Sequence, residues 1–333
     1  MYILGLESSC DETSAAVVEM EGGRRRILTN IIASQIDIHA LYGGVVPEIA
    51  GRAHIEAISR ITRRALDGAG LPLSDIGLVA VTAHPGLIGA LLVGVNFAKS
   101  LAFANHIPLV GVDHIRGHLA AALLAHEDLT PPYLGLVLSG GHTAFYTADD
   151  YADLCEIGGT RDDAVGEAFD KIARVLGMPY PGGTALDKLA YTGDPNAFAL
   201  PSPALGGDTL DFSFSGLKTA TLNLIHHEEQ LGRPLPAADI AAAFTRTVAD
   251  GIAKKLALAL EMTGRKTVVI AGGAAANSHI RAAAERVCRA AGATLYLPPL
   301  SLCGDNAAMI AAAGYYAYLS GERADTALNA SPV

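Results

Sequence analysis

Apolar and polar positions follow two rhythms along this chain of 333 residues. Short apolar runs of strand length occur at residues 2–6, 14–19, 27–35, 76–82, 108–112, 267–270 and 294–297. Helical spacing governs the stretches between them. Ile55, Ile58, Ile61, Ala65 and Leu66 recur on one side of a turn whose other positions carry Arg60, Arg63 and Arg64, and these arginines read as a solvated face. An irregular loop, residues 39–54, leads into that helix. Further helices are expected over 118–124, 162–176, 238–262, 278–291 and 305–318, with another beginning in 211–218. Residues 87–104 form the most apolar run, but Asn96, Lys99 and several small residues mark it as a buried helix rather than a membrane span. Strands alternating with helices predict an α/β chain. Thr130-Pro131-Pro132 is the clearest linker. It divides the chain into a first lobe, 1–130, completed by a C-terminal helix within 306–333, and a second lobe, 131–305, with a helical insertion.

One stretch organises the rest. Residues 134–146, LGLVLSGGHTAFY, read as strand, small-residue turn and strand. Near the start, residues 4–15 read LGLESSCDETSA. At an offset of 130, Leu4, Gly5, Leu6, Ser9 and Thr13 fall on Leu134, Gly135, Leu136, Ser139 and Thr143. Each hairpin heads about half the chain. Consecutive glycines let backbone amides converge on one anion, so such turns suit phosphate; a plain hairpin turn is the other reading. A third glycine-rich turn, 271–274, follows a strand. Two similar halves with phosphate-type hairpins and a late Gly-Gly loop resemble the actin-like ATPase superfamily, a two-lobed (ASKHA) fold with duplicated lobes.

Composition narrows the function classes. Half the residues are apolar, 17% are charged and the formal net charge is −10. That balance argues against a broad electrostatic footprint on nucleic acid, though not against a local basic patch or a basic partner. Four scattered cysteines without CxxC spacing read as reduced thiols of a cytoplasmic protein. The first residues have neither a basic segment nor a long apolar core, so no signal peptide is expected.

His114 and His118 stand four apart at a strand-to-helix junction, which on a helix puts both imidazoles on one face. The intervening Ile-Arg-Gly lacks the glutamate of a zincin, so a metalloprotease is disfavoured. A capping or hydrogen-bonding pair is the alternative. Asp305, expected from the other lobe, is a candidate third ligand, or else an N-cap. Two histidines and one carboxylate suit Fe(II), or Zn(II) or Mn(II).

Ordered motifs along nearly the whole chain then resemble one family, the TsaD family of tRNA N6-adenosine threonylcarbamoyltransferases. They are residues 5–13, 43–48, 114–118, 138–143, 166–171, 180–183, 212–218, 271–277 and 305–306. The resemblance implies a divalent metal on His114, His118 and Asp305. It implies an adenylate, threonylcarbamoyl-AMP, held by Val137, Leu138, Ser139, Gly140 and Gly141 with Asp170, Gly183, Asp187 and Asn277. It implies transfer of the threonylcarbamoyl group to the adenosine next to the anticodon of tRNAs reading codons that start with A. The implied partners are the tRNA anticodon loop, a catalytically inactive paralogue as heterodimer partner, and a small P-loop ATPase, with no membrane. Asp11 or Glu12, in the first hairpin, is expected to position or deprotonate the amine. The chain departs mildly from the family in the late loop, where small residues precede Asn277. Rival readings are a small-molecule kinase or carbamoyltransferase of the same fold, which needs no histidine pair, and a non-catalytic scaffold, which would have lost the ligands.

Overall fold

A computed structural model describes residues 1–232 and 235–333. The chain forms two units. The first comprises Met1–Pro131, Asp149–Leu154 and Pro298–Val333; the second comprises Pro132–Ala148 and Cys155–Leu297.

In the first unit, β1 (Tyr2–Glu7), β2 (Glu12–Glu21) and β3 (Arg24–Ser34) form an antiparallel meander. Helices α1 (Ile36–Ala40) and α2 (Pro47–Ala69) lead to β4 (Ile76–His84), then α3 (Ile88–Asn105), β5 (Leu109–Asp113) and α4 (His114–Ala125). Both β4 and β5 add in parallel, giving the order β3-β2-β1-β4-β5. In the second unit, β6 (Tyr133–Leu138), β7 (Thr143–Ala148) and β8 (Leu154–Gly159) precede the helices α5 (Val165–Val175), α6 (Gly183–Ala190), α7 (Ser215–Gln230) and α8 (Ala237–Thr263). Then come β9 (Thr267–Ala271), α9 (Ser278–Ala291) and β10 (Thr294–Tyr296). The order β10-β9-β6-β7-β8 repeats that of the first sheet, with β6 in the place of β1. Helix α10 (Ala307–Leu319) returns to the first unit and packs along α4 and across β1, β2 and β4.

Each sheet has its own core. Leu4, Leu6, Val17, Val79 and Val81 meet Ile61, Ala65, Val95 and Ala98 in the first. Leu134, Leu136, Phe145, Val268 and Ile270 meet Phe169, Ile172, Phe244 and Ile252 in the second. The segment Asp149–Leu154 belongs to the first unit because Tyr151 stacks on Tyr316 at 4.1 Å and receives a hydrogen bond from the buried Arg25.

Several expectations change. The second lobe was expected to run to residue 305, but Pro298 onwards belongs to the first unit, so Asp305 shares that unit with the histidines. Helix α2 starts at Pro47, inside the stretch read as a loop, and α1 precedes it. Within α2, Ile58, Ile61 and Ala65 are buried, whereas Ile55 is 65% exposed and the neighbouring His54 is buried. No strand was expected between the glycine hairpin and the helix at 162–176, yet the edge strand β8 lies there. Helix α3 is long and apolar enough to cross a membrane by length and composition. It buries Ala90, Leu91, Gly94, Val95, Ala98 and Ala102 but leaves Ile88, Leu92 and Phe103 exposed, so it is buried along one face only.

Candidate metal centre and nucleotide loops

The metal candidates come together through two helix starts. Asp113, the last residue of β5, caps α4: its Oδ1 accepts from the amides of Ile115 (2.6 Å) and Arg116 (3.3 Å). That cap fixes the first turn, so His114 and His118 project side by side, with ring centroids 4.6 Å apart. Asn306 caps α10, its Oδ1 accepting from the Met309 amide at 3.1 Å. Asp305, one residue earlier, is therefore not a capping group, and it points back at the pair. Its Oδ1 lies 3.4 Å from His114 Nε2 and 3.4 Å from His118 Nε2.

All three ligand atoms lie within 4.8 Å of one another. The set fits a cation. Two bonds of about 2.1 Å meeting at about 109° put their ligand atoms about 3.4 Å apart. Burial alone would lower the His114 pKa, but the charges of Asp305 and Glu7 outweigh it and hold the imidazole well above its ordinary value. A cation bound here takes the place of that proton, as metal binding to an imidazole requires.

Sequence reasoning missed Glu7. It ends β1 with its side chain fully buried, and its oxygens accept from Thr82 Oγ1 (2.7 Å), from the Ser9 amide (2.5 Å) and from His114 Nδ1 (3.0 Å). Burial pushes this carboxyl up, but the charge and hydrogen bond of His114 prevail and hold it below the ordinary range. The only hint in the sequence is a carboxylate at the end of an otherwise apolar strand.

Asp11 and Glu12 follow on the same hairpin. His54 tethers that loop at both ends: Nδ1 lies 2.7 Å from Thr13 Oγ1, and Nε2 donates to the Cys10 carbonyl at 3.0 Å. Burial lowers the His54 pKa, which keeps the ring neutral for this role. The Gln35 amide donates to the Asp11 carbonyl, and Ser34 Oγ donates to Glu12 Oε1. Burial, then the negative charges of Asp11 and Asp305, push Glu12 up to about 9. The Cys10 thiol is pushed far up, by burial first and then by Asp11.

The expected nucleotide residues all lie in the second unit and are joined by contacts. The β6–β7 turn closes with the Ser139 amide on the His142 carbonyl and the His142 amide on Ser139 Oγ. Among the described residues, none beyond the chain neighbours stands within 4 Å of where a Cβ would lie on Gly140 or Gly141. The N-terminus of α5 abuts this turn so closely that a Cβ on Gly166 would come 2.7 Å from the Ser139 carbonyl oxygen. Gly272, at φ 97°, would place one 2.3 Å from the Leu138 oxygen. Asp170 of α5 accepts from the amides of Gly182 (2.8 Å) and Gly183 (3.3 Å), which pins the start of α6. Asp187 of α6 accepts from the Ser278 amide and hydroxyl and from His279 Nδ1, which pins the start of α9. Asn277 caps α9 through the Ile280 amide at 3.0 Å. Both aspartates thus organise loops directly, an action the sequence did not suggest. The N-terminus of α5 abuts the glycine turn that follows Val137 and Leu138, a backbone environment suited to an anion, and the starts of α6 and α9 are tied to it in sequence through Asp170 and Asp187.

The 212–218 motif has a structural explanation. Asp162 accepts from Ser213 Oγ and from the amides of Phe214 and Ser215, and so holds the first turn of α7.

Two solved structures share this fold at low sequence identity. T. kodakarensis HypF superposes with a TM-score of 0.65 at 16% identity, over 96% of this chain and 48% of that one. ROK hexokinase from Thermus thermophilus does so at 0.52 and 18%, over 97% and 100%. Paired sheets of one strand order and glycine turns at β6 and β9 make this an actin-like ATPase (ASKHA) fold, here carrying a His-His-Asp cluster suited to a cation. The profile of the family described as "TsaD: tRNA N6-adenosine threonylcarbamoyltransferase" matches residues 26–312. Proteins of that name from Moorella thermoacetica (51% identical over 99% of this chain and 96% of theirs) and Geobacillus thermodenitrificans (49% over 100% and 96%) are similar throughout. The chain belongs to the tRNA N6-adenosine threonylcarbamoyltransferase family.

Proposed function

We propose that this chain is a cytoplasmic, metal-dependent transferase that moves the threonylcarbamoyl group from threonylcarbamoyl-AMP to N6 of the adenosine 3′-adjacent to the anticodon, in tRNAs reading ANN codons. The observation that carries this reading is the near-full-length kinship with enzymes of that name, whose metal-motif residues cluster in this chain.

The N6 amine is a weak nucleophile because its lone pair is delocalised into the ring. Its nitrogen attacks the carbamoyl carbon, the bond from that carbon to the phosphate oxygen breaks, and AMP leaves with the electron pair. Asp11 takes the proton shed by nitrogen. Glu12, held at about 9 and so protonated at neutral pH, donates a hydrogen bond beside it. His114, His118 and Asp305 would hold the cation, Fe2+ or alternatively Zn2+ or Mn2+, which supplies oxygen polarisation and neutralisation of developing charge. The turn Val137–Gly141 holds the adenylate, with the Gly140 and Gly141 amides on its phosphate, and Asp170, Gly183, Asp187 and Asn277 frame the nucleoside. The target base must leave its stack, which suits an unpaired loop nucleotide.

The chain's negative charge argues that partners complete the RNA site: the inactive paralogue and the small P-loop ATPase. Ile88, Leu92 and Phe103 recur on α3 at spacings of four and eleven residues, which are whole helical turns, and all are exposed, as is Ile55 on the adjoining α2. That stripe suits the paralogue.

The test supplies purified chain and partners with unmodified tRNA and threonylcarbamoyl-AMP, then digests the tRNA to nucleosides for mass analysis. Threonylcarbamoyl-adenosine should form with the wild type. Asp11→Ala should lose transfer yet still bind the adenylate. Full turnover by that variant would remove Asp11 from the mechanism, and no product from the wild type would remove the function.

A further inference from the structure

We propose that Glu7 is a positioning residue of the metal centre, setting the tautomer of His114 and supplying the second negative charge that the bound cation requires. The inference rests on reading His114, His118 and Asp305 as cation ligands, and extends it to a residue that would not touch the ion.

His114 has two ring nitrogens, and only one faces Asp305. Nε2 lies 3.4 Å from Asp305 Oδ1, while Nδ1 lies on the other side, 3.0 Å from Glu7 Oε2 and 3.2 Å from Ser9 Oγ. A carboxylate accepts and does not donate, so Nδ1 carries the hydrogen and Nε2 keeps its lone pair for an ion. Glu7 is itself fixed. Oε1 receives the Ser9 amide and Oε2 receives the Thr82 hydroxyl, so the carboxylate cannot turn away without breaking bonds in a buried site. Metal-bound imidazoles generally need such a partner to set their orientation and raise their basicity.

Charge points the same way. The ligand set brings one negative charge, from Asp305, against two on a divalent ion. Glu7 is fully buried and hydrogen-bonded to one of the ligands, and it brings the sum to zero. In a site this enclosed an unbalanced charge is costly, so Glu7 favours retention of a divalent ion. Glu7→Gln preserves the shape and its one oxygen can still accept from Nδ1 and Thr82, so it removes the charge together with the acceptor for the Ser9 amide.

The experiment uses the full chain stripped of metal, with Co(II), Fe(II) and Zn(II) affinities measured by competition against a chromophoric chelator. Glu7→Gln should raise each dissociation constant about 10–100-fold. Its visible Co(II) spectrum at saturation should also differ from the wild type, because the electron density of the ligating imidazole changes. A merely structural loss would lower the melting temperature of the metal-free chain and leave the saturated spectrum alone. If circular dichroism shows Glu7→Gln unfolded, Thr82→Val serves instead: it removes one donor to Glu7 and should weaken Co(II) binding several-fold. Affinities within twofold of wild type, with an unchanged spectrum, would overturn the proposal. A wild type that binds none of the three ions overturns the ligand reading and this inference with it.

Discussion

Glu12 is a carboxyl placed where ionisation opposes folding. Burial and the charges of Asp11 and Asp305 push it from an ordinary value of 4.5 to about 9. Between those values the folded chain holds a proton that the unfolded chain has released. Stability therefore falls as pH rises from about 4.5 towards about 9, the reverse of a salt-bridged carboxylate. Glu12→Gln removes that slope. Melting curves at pH 6 and pH 8.5, taken in excess chelator so that no cation offsets Asp305, should show a larger drop for the wild type than for the variant. Equal drops would mean that Glu12 does not carry the proton. A carboxyl kept protonated at this cost serves better as a hydrogen-bond donor than as a base, and that is why Asp11 is assigned the amine's proton.

Element ends bring the ligands together, and they divide what could be read from sequence from what could not. Asn306 is fully buried; besides capping α10 it receives a bond from Asn30 Nδ2 and donates to the Gly304 carbonyl at 2.9 Å. Asn306→Ala should cost about 1–3 kcal/mol in urea unfolding, a lost cap plus unsatisfied buried partners. It should also weaken metal binding, since Asp305 loses its anchor. Asp305→Ala should abolish metal binding with little loss of stability, so the pair separates anchor from ligand. The cap pattern was legible as "Asp305 or N-cap" because Asp and Asn are adjacent, and only the fold reveals which residue turns inward. The echo between 4–15 and 134–146 was legible because strand, turn and strand are local; β1 and β6 do occupy equivalent places. Strand β8 was not, since Cys155, Glu156, Gly158 and Gly159 lack alternation at an exposed edge. The inward face of α2 was misread at one turn: hydropathy puts Ile55 inside, and His54 was read as the end of a loop. The fold buries His54 instead because the Cys10–Thr13 hairpin, itself polar, needs a hydrogen-bonding partner beneath it.

Over the whole molecule, apolar surface and charge bear on the proposed assembly. Half the residues are apolar and two cores bury many of them, yet α3 leaves Phe103 72% exposed and Ile88 and Leu92 open along the same side. Scattered exposed leucines need no explanation, but a stripe repeated over whole helical turns is surface that water solvates poorly and a partner helix would cover. The surplus of negative charge gives the proposed partner a second use, since a net acidic chain gains little from phosphate attraction and a basic partner surface would add to it. Phe103→Asp combined with Ile55→Asp places charges where the proposed paralogue would dock and touches neither the His-His-Asp cluster nor the glycine turns. The double variant should keep the wild-type melting temperature and metal content, fail to co-elute with the paralogue in size-exclusion chromatography, and lose modification of tRNA in the reconstituted reaction. Co-elution equal to the wild type would move the interface elsewhere on the molecule. Lost activity with intact co-elution would instead assign this stripe to the RNA or to the ATPase.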